Sequence, residues 1–249
     1  MANSKFRYLW RTVIGSVADL LFPPSCLVCG HPPSPGSTVM FCPDCLERIE
    51  LIDKPLCSCC GRMFRAAAGG EHLCGRCLTG RWFFDMARAL VIYREPISDV
   101  IHRFKYQGQT VSLKSFHTLF HDLVTIPEYL HPDLVVPVPL HPGKLRQRGF
   151  NQAVLLAEAL YLENRELVNH AVLERVRKTA PQTGLSGKER RRNLKNAFQI
   201  NKPEQVKNRT IVLVDDVFTT GTTVNECARI LKKAGAKKVL VFTLARVAE

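Results

Sequence analysis

Apolar residues recur along this chain in two rhythms, one returning every third or fourth position and one forming short unbroken runs. Near the start, Phe6, Leu9, Trp10, Val13, Ile14, Val17, Leu20 and Leu21 keep helical spacing, while Lys5, Arg7, Arg11 and Asp19 fall elsewhere. The pattern predicts a basic amphipathic helix over residues 4–21, weakened at Gly15 by about 1 kcal/mol relative to alanine and ended by Pro23-Pro24. Its stripe suits either packing on the rest of the chain or contact with a membrane surface. From Trp82 onward the pattern changes. Strand-like runs at 87–93, 134–136, 172–176, 211–214 and 239–244 alternate with helical stretches at 97–106, 112–124, 150–162 and one ending near 234. The 97–106 helix carries Ile97, Val100, Ile101 and Phe104 on its apolar side and His102, Arg103 and Lys105 as basic residues. Pro137, Pro139 and Pro142 stop the second strand near Val138, and 197–200 reads as an edge strand. Strands alternating with helices predict an α/β fold with a mostly parallel, doubly wound sheet.

Between these regions lies a stretch that cannot build a core from its own side chains. Nine of the ten cysteines fall between Cys26 and Cys77, and eight of these form four C-x-x-C pairs: Cys26/Cys29, Cys42/Cys45, Cys57/Cys60 and Cys74/Cys77. One unit occurs twice, C-x-x-C-G, then a spacer of eleven or twelve residues, then C-x-x-C-L. A tight glycine turn aims two thiolates at one ion, so the repeat predicts two Cys₄ zinc sites. The repeat favours sequential over cross-braced pairing. Four thiolates leave no open coordination position, which makes both zincs structural, and loss of a ligand should unfold mainly the N-terminal module. Cys59 is surplus by spacing, and Cys227 reads as a small apolar residue. The chain thus divides into the helix at 1–22, a double ribbon at 23–80 and an α/β domain at 81–249.

Three segments of the α/β region carry chemistry. The run Ile211-Val-Leu-Val214 leads into Asp215-Asp216 and then Thr219-Thr220-Gly221-Thr222-Thr223. Acids at the end of a buried parallel strand lie where open α/β sheets bind ligands. The glycine turn, its hydroxyls and the amides of a starting helix suit a phosphate. In a second segment, Lys144, Arg146 and Arg148 precede Gly149 and a helix start at Asn151, a loop suited to pyrophosphate. The third holds Arg175, Arg177, Lys178, Lys188, Arg190, Arg191, Arg192 and Lys195 around the small-residue stretch 179–187, which reads as a basic loop able to close over a diphosphate.

The segment IVLVDDVFTTGTT resembles the phosphoribosyl-pyrophosphate (PRPP) motif of type I phosphoribosyltransferases. The resemblance implies that Asp215 and Asp216 hold ribose hydroxyls, partly through Mg²⁺, and that Thr219 to Thr223 hold the 5′-phosphate. Together with the C-x-x-C pairs, PVPLHPGKLRQRGFNQ and RKTAPQTGLSGKERRRNLKNAF, it makes essentially the whole chain resemble the ComF (ComFC) family. That resemblance implies a type I phosphoribosyltransferase-like, mostly parallel sheet preceded by a zinc-ribbon domain, in proteins linked to DNA uptake during natural transformation. A glycine is common in the wider transferase family where Thr222 stands.

Charge and compartment narrow the function classes. Lys and Arg total 35 against 22 Asp and Glu, a formal charge of +13 that favours polyanionic partners. No run approaches a transmembrane span, no cleavable leader is convincing, and reduced cysteines suit the cytoplasm, with the inner membrane face open to the 4–21 helix. The expected role is PRPP binding in DNA uptake, with single-stranded DNA handled in the cytoplasm. Trp82, Phe83 and Phe84 are either stacking platforms or core. The alternative is an Mg-dependent phosphoribosyltransferase acting on an unidentified acceptor, in which Arg146 and Arg148 would neutralise the leaving pyrophosphate. No residue stands out as a general base.

Overall fold

The computed structural model describes residues 23–64, 70–177, 189, 193–194 and 196–248. The 4–21 helix and most of the basic stretch, including Lys178 and Arg190, lie outside the described residues. The strands are β1 (Met86–Ile92), β2 (Leu134–Pro137), β3 (Leu173–Arg175), β4 (Phe198–Ile200), β5 (Thr210–Phe218) and β6 (Lys238–Arg246). The helices are α1 (Pro43–Glu47), α2 (Gly75–Thr79), α3 (Ile97–Gln107), α4 (Ser112–Leu123), α5 (Pro127–Leu130), α6 (Pro142–Arg148), α7 (Gln152–Leu160) and α8 (Thr222–Lys233). Four strands form one parallel sheet in the order β1-β6-β5-β2.

Both faces of this sheet are covered, which is why its strands read as unbroken apolar runs. Val212 and Val214 of β5 join the core built with Phe116 and Phe120 of α4 and Leu156 and Leu160 of α7. Ile211 and Leu213 point the other way, into the core with Val224, Cys227, Ala228 and Leu231 of α8. Each fully buried valine or leucine contributes about 1.5–3 kcal/mol, so the centre of the sheet rests on the sequence run at 211–214. Helix α3 forms because Ile97, Val100, Ile101 and Phe104 fall on one face, and it stops at Gly108, whose φ is +66°.

The cysteine module straddles the outer edge of β1. Ile92 N–H donates to the Glu50 carbonyl at 2.9 Å, Ile52 N–H donates to the Leu90 carbonyl at 2.9 Å, and Leu51 pairs antiparallel with Val91. On one side of this seam, Cys26, Cys42 and Cys45 enter the core shared with α3 and α4. On the other, Cys57, Cys60, Cys74 and Cys77 enter the core shared with α8. The edge strand is therefore capped along its middle rather than left open. Gly61 permits the close approach. Its φ is +69°, and a Cβ there would lie 2.5 Å from the Ala87 carbonyl oxygen of β1.

Several sequence expectations shift. The edge strand read at 197–200 is β4, which pairs antiparallel with β3 in a separate two-stranded sheet. The stretch from Lys144 to Arg148 is not a loop but helix α6, started by Pro142 and stopped by Gly149 at φ +80°. Proline suits the first helical turn because its missing N–H would be unpaired there anyway. The helix read from 150 begins at Gln152, because Asn151 caps it by accepting from Ala153 N–H. Strand β5 runs on to Phe218, so the two aspartates lie within it rather than beyond its end. Among the described residues no helix is long and apolar enough to cross a membrane.

Candidate functional site

The C-terminal end of the parallel sheet gathers three of the sequence segments. Adjacent residues of a strand point to opposite faces, so Asp215 and Asp216 diverge. Asp216 faces α3 and α7. Lys105 Nζ lies 2.9 Å from its Oδ2 and 3.1 Å from its Oδ1, and Gln152 Nε2 donates to Oδ2 at 2.9 Å. Arg148 continues the network by donating to Gln152 Oε1 at 3.1 Å, with its guanidinium 4.8 Å from the Tyr106 ring. Burial alone would lower the Lys105 pKa, but the charge and hydrogen bond of Asp216 outweigh it and the net shift is upward.

Asp215 lies on the other face, partly buried, and its Oδ1 accepts the Asp216 N–H at 2.9 Å. Desolvation, reinforced by the negative charge of Asp216, pushes its pKa from 3.8 up to about 7. The folded protein thus keeps a proton that the unfolded chain releases as pH rises. The Asp215 contribution to stability therefore falls between about pH 4 and pH 7, because this group binds more proton in the native state there. Asp215→Asn should flatten this fall. Urea midpoints at pH 4.5 and 7.5 check it, and identical pH dependence in parent and variant would refute it.

Further basic groups lie close enough to Lys105 to feel its charge or that of Asp215. Burial lowers the Lys144 pKa, and the positive charges of Arg175, Arg148 and Lys105 lower it further. Burial also lowers Arg175, against an opposing effect of Cys227 and Asp215, and its guanidinium lies 5.4 Å from the Phe198 ring. Arg146 is exposed on α6. Asn151 caps α7 and donates to the Val138 carbonyl at 3.1 Å, so it fixes the loop. Arg177 is exposed and donates to the Asn193 carbonyl at 2.6 Å.

The threonine turn follows β5. Gly221, at φ +70°, caps α8, and a Cβ there would sit 2.5 Å from the Phe218 ring. Thr220 and Thr222 share a hydroxyl hydrogen bond of 2.8 Å. Thr219 is exposed, and Thr223 lies in the first turn of the helix. No side chain caps the start of α8. An anion can meet amides left without intrahelical partners there.

Eight cysteines make two separate groups, Cys26, Cys29, Cys42 and Cys45, and Cys57, Cys60, Cys74 and Cys77. In each group the four sulfurs lie within 4.8 Å of one another. Pairing is sequential, not cross-braced. The contacts of Cys29 with Cys42 at 3.5 Å and of Cys60 with Cys74 at 3.7 Å suit the roughly 3.8 Å separation around a tetrahedral ion with Zn–S of about 2.3 Å. Backbone N–H groups of Cys60 and Cys74 point at Cys57 Sγ from 3.5 and 3.3 Å. Cys59 stands outside the group, and Cys227 is fully buried on α8.

Lys105 and Gln152 were not legible as site residues. Lys105 did leave a signal: it falls eight positions after Ile97, on the apolar stripe of α3. A lysine at a core-facing position needs a partner, and Asp216 supplies it. Of the three aromatics, Phe84 is core, while Trp82 and Phe83 are half-buried beneath Arg76 and Arg81.

A double zinc ribbon domain family matches residues 17–78 and a phosphoribosyl transferase domain family matches residues 146–249. The chain is therefore a phosphoribosyltransferase-type α/β protein carrying two Cys₄ zinc-ribbon sites. Competence protein F of Haemophilus influenzae is 37% identical over 213 residues, covering 83% of this chain and 90% of that protein. DNA utilization protein YhgH of Escherichia coli K12 is 35% identical over 237 residues, 91% of this chain and 99% of that protein. Competence protein ComFC of Streptococcus pneumoniae is 29% identical over 235 residues, 89% of this chain and 99% of that protein. The chain belongs to the ComF (ComFC) family.

Proposed function

We propose that this protein binds a phosphoribosyl ligand, PRPP or a close relative, together with Mg²⁺, and handles incoming single-stranded DNA in the cytoplasm during DNA uptake. The observation that carries the ligand reading is the grouping of Lys105 and Arg175 with the two acids, and of Lys144 and Arg148 with those cations, at the strand end that leads into the threonine turn. A pyrophosphate, a 5′-phosphate and a sugar diol need this set: cations for the pyrophosphate, a carboxylate for the diol or Mg²⁺, and amides with hydroxyls for the 5′-phosphate. Asp216 is already ion-paired, so Asp215 is the acid open to the diol or to the metal. Mg²⁺ would neutralise the pyrophosphate. The DNA role draws on the names of the relatives and on the +13 charge.

Calorimetry with PRPP and Mg²⁺ tests the ligand reading. Thr222→Val retains bulk but loses a hydroxyl donor, and a hydrogen bond to a charged group is worth about 1.5–3 kcal/mol. Affinity should fall roughly ten- to a hundredfold. Asp215→Asn should weaken the Mg²⁺-dependent part. If parent, Thr222→Val and Asp215→Asn bind alike, the turn is only a helix entry. For the DNA arm, log affinity for a single strand should fall with log salt by about 0.7 per phosphate contacted. Salt-insensitive affinity would exclude a backbone-tracking surface.

A further inference from the structure

The second zinc group is joined to the threonine turn by three independent routes. Arg76 lies in α2, between the ligands Cys74 and Cys77, and its guanidinium donates to the Thr220 carbonyl. Asn225, one turn into α8, accepts Phe83 N–H at 2.7 Å and donates to the Arg81 carbonyl at 3.1 Å. Beneath the turn, the Phe218 ring packs under Gly221, the Arg246 guanidinium lies 5.2 Å from that ring, and Arg246 donates to the carbonyl of the ligand Cys60.

These contacts enclose a cleft of about 430 Å³ between the ribbon and the turn. Arg76, Arg81 and Trp82 form its ribbon wall, and Thr220, Thr222 and Asn225 form its other wall. None of the eight lining residues is acidic. Arg81 is exposed, with its guanidinium 5.2 Å from the Phe83 ring. A cleft walled by two guanidinium groups, two hydroxyls and a carboxamide is chemically matched to a phosphomonoester.

We propose that the second zinc ribbon is part of the ligand site, with Arg76 and Arg81 closing over a sugar 5′-phosphate that the threonine turn holds from the other side. This rests on the phosphoribosyl reading above and adds that the zinc holds a wall of the site as well as a fold. The group Cys57, Cys60, Cys74 and Cys77 sets the position of α2, and α2 sets the position of Arg76. The first zinc group has no part in the cleft, because it packs on the opposite face of the sheet.

Ribose 5-phosphate tests this on the full chain with Trp10→Phe, so that Trp82, which lines the cleft, is the one remaining tryptophan. Titration should change Trp82 emission. Arg81→Gln should weaken ribose 5-phosphate binding about tenfold at low salt, by loss of one charge-assisted contact, with two zinc ions retained. Arg76→Gln should weaken it at least as much, and Arg76→Lys should restore part of the loss. Unchanged affinity in Arg81→Gln and Arg76→Gln, with both zincs present, would overturn the inference while leaving the turn as a phosphate site. A parent that binds PRPP but shows no response at Trp82 would also overturn it. A parent that binds neither ligand would remove the phosphoribosyl reading and this one with it.

Discussion

Purified, reduced protein should contain two zinc ions, and Cys57→Ser should lose one of them together with most of the stability of the whole chain. Cys57 is fully buried, and its sulfur receives N–H groups from Cys60 and Cys74. Structural zinc in small fingers is worth about 10–16 kcal/mol of apparent folding free energy, against about 5–15 kcal/mol for an entire domain. The repeated cysteine unit alone points to damage confined to the N-terminal module. The packing points further, because this group shares a core with Phe84, Phe218 and the apolar face of α8. Atomic emission on parent and variant, with thermal unfolding followed by Trp82 emission in a Trp10→Phe background and by the far-ultraviolet helix signal, checks both parts. One ion or none in the parent, or a variant that melts like it, would contradict the arrangement.

Lys105→Met should destabilise the fold by about 3 kcal/mol, the lower end of the range for stripping one partner from a buried ion pair. The Asp216 side chain is 6% exposed and that of Lys105 24%, so the lysine end keeps some water. The variant leaves a carboxylate bonded to Gln152 without its ion-pair partner. Asp216→Asn removes the charge that needs compensating, so the double variant should recover part of the loss. Denaturant titrations of the four proteins measure the coupling, and strictly additive losses would show that the pair is not energetically linked. Joint replacement of both acids by asparagine should weaken the sheet as well as any ligand binding, because it orphans Lys105. Asp215→Asn is the cleaner probe of ligand binding.

The sheet was legible because its strands are buried on both faces. Runs such as Ile211 to Val214 have no other stable reading in an alternating chain. The zinc groups were legible because thiolate spacing is set by the ion itself. What the pattern hid was direction. Two neighbouring aspartates look like one acidic site in sequence, yet the period of two in a strand sends Asp215 and Asp216 to opposite faces. The helix from Pro142 to Arg148 hid behind its proline and glycine, which mark turns as readily as helix ends. Arg76 and Asn225 hid because they are 149 positions apart in sequence and meet only through the fold.

The seam at Glu50 to Ile52 also ties metal supply to self-association. A parallel sheet that ends at β1 offers a row of backbone donors and acceptors to any extended chain that reaches it. Here the chain's own linker takes that place, held from both sides by clusters that need zinc to keep their shape. A molecule stripped of metal would bare the edge to its neighbours, and the first symptom of zinc starvation would then be insolubility rather than loss of ligand.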